Sequence, residues 1–142
     1  MSVWPILDEA EMSDAAQAVI ADIKATRNTE FINNFWRVLA NDPALLARTW
    51  SSLKEVMAPG ALDPLTKELL YVAVSIANGC EYCIRSHTAA ARARGMSEAQ
   101  LGELLAVVGM ASETNRLATG LQVPVDDAFL ASGDPAASRE GD

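Results

Sequence analysis

The stretch Asp63-Pro64-Leu65-Thr66-Lys67-Glu68-Leu69-Leu70-Tyr71-Val72-Ala73-Val74-Ser75-Ile76-Ala77-Asn78-Gly79-Cys80-Glu81-Tyr82-Cys83-Ile84-Arg85-Ser86-His87 decides how this chain folds. Asp63-Pro64 is a helix start, because a short acceptor side chain caps the first turn and proline at the first helical position gives up no hydrogen bond. Leu65, Leu69, Leu70, Val72, Ala73 and Ile76 make the helix apolar nearly all round, which predicts burial. Asn78-Gly79 brings the two residue types that tolerate a left-handed backbone, so the helix ends there and the chain can reverse. Cys80 opens the next helix, which runs to Arg94 before a stop at Gly95. The expected unit is a helical hairpin whose second arm begins with a C-x-x-C pair.

The flanking sequence reads as further helices. Upstream, Ser13 or Asp14 can cap a helix to about Thr26, with Val19, Ile20 and Ile23 on one face. Arg27-Asn28-Thr29 is a connector, and a second helix from about Glu30 to near Asn41 places Phe31, Phe35, Val38 and Leu39 on one stripe. Asp42-Pro43 repeats the start signal for a third helix through about Met57, carrying Leu45, Leu46, Leu53 and Val56, before Pro59-Gly60 breaks the chain. Downstream, Ser97 and Gln100 form a capping box for a long helix from Glu98 to about Leu117, in which Gly109 is a weak point. Past Val123-Pro124 a short segment ends near Leu130, and a small, polar, acidic tail over 131–142 is expected to be disordered. No period-two pattern or internal repeat appears, so the expected fold is an all-α helical bundle, one domain over 1–130. Trp4, Trp36 and Trp50 read as core or interface anchors.

Composition narrows the function. The 142 residues suit one core, half of them are hydrophobic, and the formal net charge of -8 repels phosphate backbones and anionic lipid headgroups. Nucleic acid and membrane surfaces are therefore poor partners. The apolar run Leu69 to Val74 is far too short to cross a bilayer, and the N-terminus turns acidic at Asp8 and Glu9 without the basic start of an export signal. A soluble, cytoplasmic protein is expected. Two cysteines three positions apart in a reducing compartment point to redox or metal chemistry before a structural staple.

Cys80, Cys83 and His87 fall at i, i+3 and i+7, so one helix face collects both thiols and the sole histidine. At a helix start, unpaired N–H groups and the macrodipole favour a thiolate over a thiol. Glu68 precedes Cys80 by twelve residues, roughly 18 Å along a straight helix; a reversal at Asn78-Gly79 instead brings its carboxylate level with the imidazole and Cys83, as an acid-base partner would require. Tyr82, between the cysteines, is either a packing residue or a proton donor. Arg85 points away from the cysteine face and is expected to be solvated.

The pattern E-x11-C-x2-C-x3-H, from Glu68 through Cys80-Glu81-Tyr82-Cys83-Ile84-Arg85-Ser86 to His87, resembles the core motif of the alkylhydroperoxidase AhpD-like branch of the carboxymuconolactone decarboxylase superfamily. The resemblance extends over Asn41-Asp42-Pro43, Asn78-Gly79, Gly95, Asn115-Arg116 and Val123-Pro124, about residues 30 to 126. It implies an all-α bundle with a central hairpin carrying the C-x-x-C motif, assembled as a homo-oligomer, a trimer, hexamer or larger ring. It also implies cofactor-free reduction of hydroperoxides through a dithiol–disulfide cycle reset by an external dithiol or protein reductant, with no metal. By that resemblance Cys83 is the peroxidatic thiol, Cys80 the resolving one, and Glu68 and His87 the proton relay, whereas the dipole argument makes Cys80 the more acidic thiol. The best-characterised members carry histidine where this chain has Tyr82; a relay there would use a phenol, which yields its proton far less readily than an imidazole. Members that decarboxylate a muconolactone generally lack the cysteine pair.

Two other functions use the same residues. Two thiolates, an imidazole and a carboxylate are a plausible tetrahedral zinc set. A non-catalytic oligomeric redox sensor or scaffold would use the disulfide only to switch assembly.

Overall fold

A computed structural model describes residues 1–130, which form six α-helices and two single 3-10 turns with no strand among them. The expected tail at 131–142 lies outside the described residues. The chain divides into two compact units, Met1–Pro64 and Leu65–Asp142.

The first unit holds α1 (Asp14–Arg27), α2 (Asn34–Leu39) and α3 (Pro43–Met57). The capping signals act as read: Ser13 accepts the Ala16 N–H at 3.3 Å, and the Asp42 carboxylate accepts those of Ala44 and Leu45 at 3.1 and 3.0 Å. Ile20 and Ile23 of α1, Trp36 of α2, and Leu46 and Trp50 of α3 are buried together with Met12. Trp36 and Trp50 meet edge to face, centroids 5.5 Å apart, and the Arg27 guanidinium lies over both rings at 5.5 and 5.3 Å. The segment before α1 is tied to α2, because Arg37 Nε donates to the Leu7 carbonyl at 2.9 Å and the Arg37 guanidinium pairs with Asp8.

Helix α2 departs from expectation. It begins at Asn34, four residues after Glu30, and Phe31 and Phe35 face solvent while Ile32, Trp36 and Ala40 turn inward. Thr29 Oγ1 accepts the Phe31 N–H at 3.1 Å, a local bond that competes with helix formation and holds 29–33 irregular. The inward stripe is thus the one on which the largest ring, Trp36, sits. Trp4 and Val56 are likewise exposed.

The second unit holds α4 (Pro64–Ala77), α5 (Glu81–Ala93) and α6 (Glu98–Gly120). At the end of α4, Gly79 takes φ +68°, its N–H donates to the Ile76 carbonyl at 3.1 Å, and the Cys80 N–H reaches back to Ser75 at 3.0 Å. That is a Schellman closure: a left-handed residue satisfies carbonyls that a helix end otherwise leaves orphaned. The same closure ends α5, where Gly95 at φ +93° donates to Arg92 and Met96 to Ala91, both at 3.0 Å, and both Met96 and Ala91 are buried. The Ser97–Gln100 capping box is present, and α6 runs through Gly109 without interruption to Gly120.

Burial of α4 is narrower than its composition suggests. Glu68, Val72 and Ser75 are buried, but Leu70, Tyr71 and Val74 are open to solvent. Helix α6 fully buries none of its residues and exposes Leu105, Val107, Met110 and Leu117. None of the described helices is long and apolar enough to cross a membrane.

Two outcomes are expected. A Cβ at Gly79 would meet nothing within 4 Å, so its cost is conformational alone; Gly79→Ala should lose about 1–2 kcal/mol in urea unfolding and Gly79→Asn distinctly less. Asp22 accepts from Trp50 Nε1 at 2.6 Å and Lys54 Nζ at 2.9 Å, and these bonds, Trp50 first, hold its carboxyl below the ordinary range. A lowered folded-state value means its contribution is present above the unfolded value and is lost as pH falls through the folded one. The stability gap between wild type and Asp22→Asn should therefore be largest near neutrality and close in acid, as followed by circular dichroism.

Candidate active site

All the candidate groups lie in the second unit, on α4, α5 and the turn between them. Cys80 is the N-cap of α5, and its Sγ accepts the Cys83 N–H at 3.3 Å, so a sulfur occupies the place that serine or aspartate usually takes. Cys80 and Cys83 are joined as a disulfide across the first turn, their Cα atoms 5.3 Å apart. Both sulfurs sit where orphan N–H groups and the helix dipole stabilise negative charge on sulfur once the bond is reduced. Glu81 in the same turn pairs with Arg85 at 2.9 Å in an exposed i,i+4 bridge, so Arg85 is solvated as expected. Tyr82 stands between the cysteines, 43% exposed.

His87 follows Cys83 by one helical turn, which places its ring on the same face. Its Nδ1 lies 2.8 Å from Glu68 Oε2, so the hairpin brings carboxylate and imidazole together over nineteen positions of sequence. Glu68 is only 4% exposed, and its second oxygen is also engaged: Arg94 Nε donates to Oε1 at 3.3 Å. A buried carboxylate is tolerable only when its oxygens are paired in this way. An ionised carboxylate can only accept hydrogen bonds, so opposite it Nδ1 carries the proton, and in the neutral imidazole the lone pair is then on Nε2. Tyr71 covers one face of the imidazole, ring centroids 3.6 Å apart and planes 18° from parallel. Ser75 Oγ donates to the Tyr71 carbonyl at 2.7 Å, tying that turn of α4 to the turn that closes it.

Two participants escaped the sequence reading. Arg94 registered only as the last residue before the Gly95 stop, although it lies seven positions after His87 and so continues the stripe begun by Cys80, Cys83 and His87. Tyr71 read as one more apolar residue of α4, although it follows Glu68 by three positions and shares its face.

The pairing of Glu68 with His87 is expected to be measurable in the fold itself. Glu68→Gln and His87→Asn should each destabilise the protein, and the double variant should lose less than the sum, leaving a coupling of roughly 1–2 kcal/mol in a double-mutant cycle. Strict additivity would mean that the bond contributes nothing.

Comparison with known proteins shows the family. The sequence model of the carboxymuconolactone decarboxylase family matches residues 43–126. The crystal structure of an alkylhydroperoxidase AhpD core from Rhodospirillum rubrum is similar with a TM-score of 0.89 and 57% identity, covering 92% of this chain and 98% of that one. The alkyl hydroperoxide reductase AhpD of Solibacter usitatus is 34% identical over 130 residues, 86% of this chain and 71% of that protein. A Paracoccus denitrificans protein known from its cox locus is 36% identical over 87 residues, 61% of this chain and 75% of that protein. The chain therefore belongs to the carboxymuconolactone decarboxylase family, within its AhpD-like branch.

Proposed function

We propose that this protein is a thiol-dependent peroxidase that reduces hydroperoxides through a Cys80/Cys83 dithiol–disulfide cycle. The observation that carries the reading is a redox-bonded pair in the first turn of α5, one turn ahead of an imidazole backed by a buried carboxylate. Decarboxylation of a lactone has no use for a dithiol, and the relatives named as alkylhydroperoxidases point the same way.

The roles follow from position. Cys83, one turn from His87, gives its proton to the imidazole, and its thiolate attacks the outer oxygen of the hydroperoxide. The O–O bond breaks, the sulfur is oxidised to a sulfenic acid, and the departing alkoxide takes a proton from the imidazolium to leave as an alcohol. Cys80 then attacks the sulfenic sulfur, and the hydroxyl leaves as water while the disulfide forms. An external dithiol or protein reductant supplies two electrons and two protons to restore the pair. Glu68 orients His87 and stabilises its charged form, and Tyr82 offers its phenol O–H to the oxygen that departs. Cys80 as N-cap reconciles the dipole argument with these roles, because a sulfur that accepts a helix N–H is stabilised as the thiolate a resolving group needs. A cytoplasmic setting, with its thiol reductants, suits a pair that must be reset.

The working unit is a homo-oligomer, a trimer or hexamer. The support is the set of apolar side chains left open on α4 and α6, among them Leu70, Val74, Leu105, Val107, Met110 and Leu117.

With a dithiol reductant, Cys83→Ser should abolish consumption of organic hydroperoxides, and His87→Asn should slow it by roughly 10²–10⁴. Undiminished turnover in Cys83→Ser would overturn the peroxidase reading. Metal analysis of the reduced protein separates the zinc alternative, since stoichiometric zinc with both thiols masked would replace the dithiol cycle with a metal site. Light scattering separates the scaffold, which requires subunit mass to change with oxidation while no peroxide is consumed.

A further inference from the structure

Arg94 and Tyr71 both touch the Glu68–His87 pair, and neither is needed to write the thiol chemistry. Arg94 is the C-cap of α5, held by its own N–H to the Ala90 and Ala91 carbonyls and by the left-handed Gly95 that follows. A helix C-terminus favours a cation. From that anchor Nε, the guanidinium nitrogen nearest the chain, reaches Glu68 Oε1. His87 and Arg94 are two turns apart on one face of α5, so they grip the carboxylate from its two ends: Nδ1 at Oε2 and Nε at Oε1. Tyr71 lies flat on the imidazole. The carboxylate can rotate about its own axis unless both oxygens are held, and an imidazole held at one nitrogen can still swing unless its face is covered.

We infer that Arg94 and Tyr71 are positioning residues for His87: Arg94 locks the Glu68 carboxylate so that the ring is held as its Nδ1–H tautomer, Tyr71 fixes the ring plane, and Nε2 is left as the proton acceptor. The assignment of that lone pair to Cys83 rests on the peroxidase reading; the tautomer and its dependence on Arg94 do not. The contact is made by an Nε–H, so a lysine keeps the charge without the directed bond, and a methionine keeps only the apolar stem.

The chain has one histidine, so nitrogen NMR of the oxidised protein shows a single imidazole. At a pH well above the ordinary imidazole range, wild type should show a pyrrole-type Nδ1 and a pyridine-type Nε2. Arg94→Met should move both signals toward the average of two exchanging tautomers, with Arg94→Lys between that variant and wild type. Tyr71→Phe, which keeps the stack, should leave them in place, and Tyr71→Leu should broaden them. In single-turnover oxidation of the reduced protein by hydroperoxide, Arg94→Met should be slower by about tenfold or more, with partial recovery in Arg94→Lys. A wild-type ring carrying its proton on Nε2, or ring signals in both Arg94 variants identical to wild type, would overturn the inference. Ring signals that shift as expected in a protein that consumes no peroxide would instead retire the peroxidase reading and leave the clamp standing.

Discussion

The left-handed turn at Gly79 is the constraint on which the site depends. Two reversed hydrogen bonds, from Gly79 to Ile76 and from Cys80 to Ser75, end α4 and set the phase at which α5 begins. Because helix phase advances about 100° per residue, one residue more or fewer in that turn would rotate the face of α5 and carry His87 away from Glu68. The same turn leaves Cys80 at the N-cap, where its sulfur meets the orphan N–H of Cys83. Reversal, the N-cap position of Cys80 and the carboxylate–imidazole pair are thus consequences of one backbone conformation.

Glu68 sets the electrostatics of the hairpin. Placing a carboxylate at 4% exposure in an apolar helix is unfavourable unless other groups replace its lost hydration, and here an imidazole and a guanidinium do so. Both come from α5, so the buried charge also selects the register of the hairpin: a slip by one turn would leave a carboxylate oxygen without a donor. Under the proposed function, stability and chemistry draw on the same bonds, so changes at Glu68 or His87 should register in unfolding as well as in turnover.

Much of this was legible in the residues. Helix starts at Ser13, Asp42-Pro43 and Ser97 rest on local side chain–backbone bonds, and stops at Gly79 and Gly95 rest on a conformation that glycine adopts freely, so neighbours in sequence suffice to find them. The i, i+3, i+7 spacing of Cys80, Cys83 and His87 needs only a helix. What escaped reading depends on non-local choices. In and just before six-residue α2, Phe31, Phe35 and Trp36 offered competing stripes, and packing of Trp36 against Trp50 decided between them. The all-round apolar character of α4 does not tell which of its faces the chain itself covers, and only the stripe of Glu68, Val72 and Ser75 is buried. Arg94 and Tyr71 became visible only when the phase of two helices was known together.

In the proposed cycle Cys83, one helical turn before His87, is the sulfur that meets the peroxide. The most direct measurement is to treat reduced Cys80→Ser and Cys83→Ser proteins with one equivalent of an organic hydroperoxide in the presence of dimedone and map the adduct by peptide mass spectrometry. Rapid trapping of a sulfenic acid on Cys83 is expected in the first protein and little on Cys80 in the second. Equal or faster trapping on Cys80, with Cys83 unmodified, would contradict it.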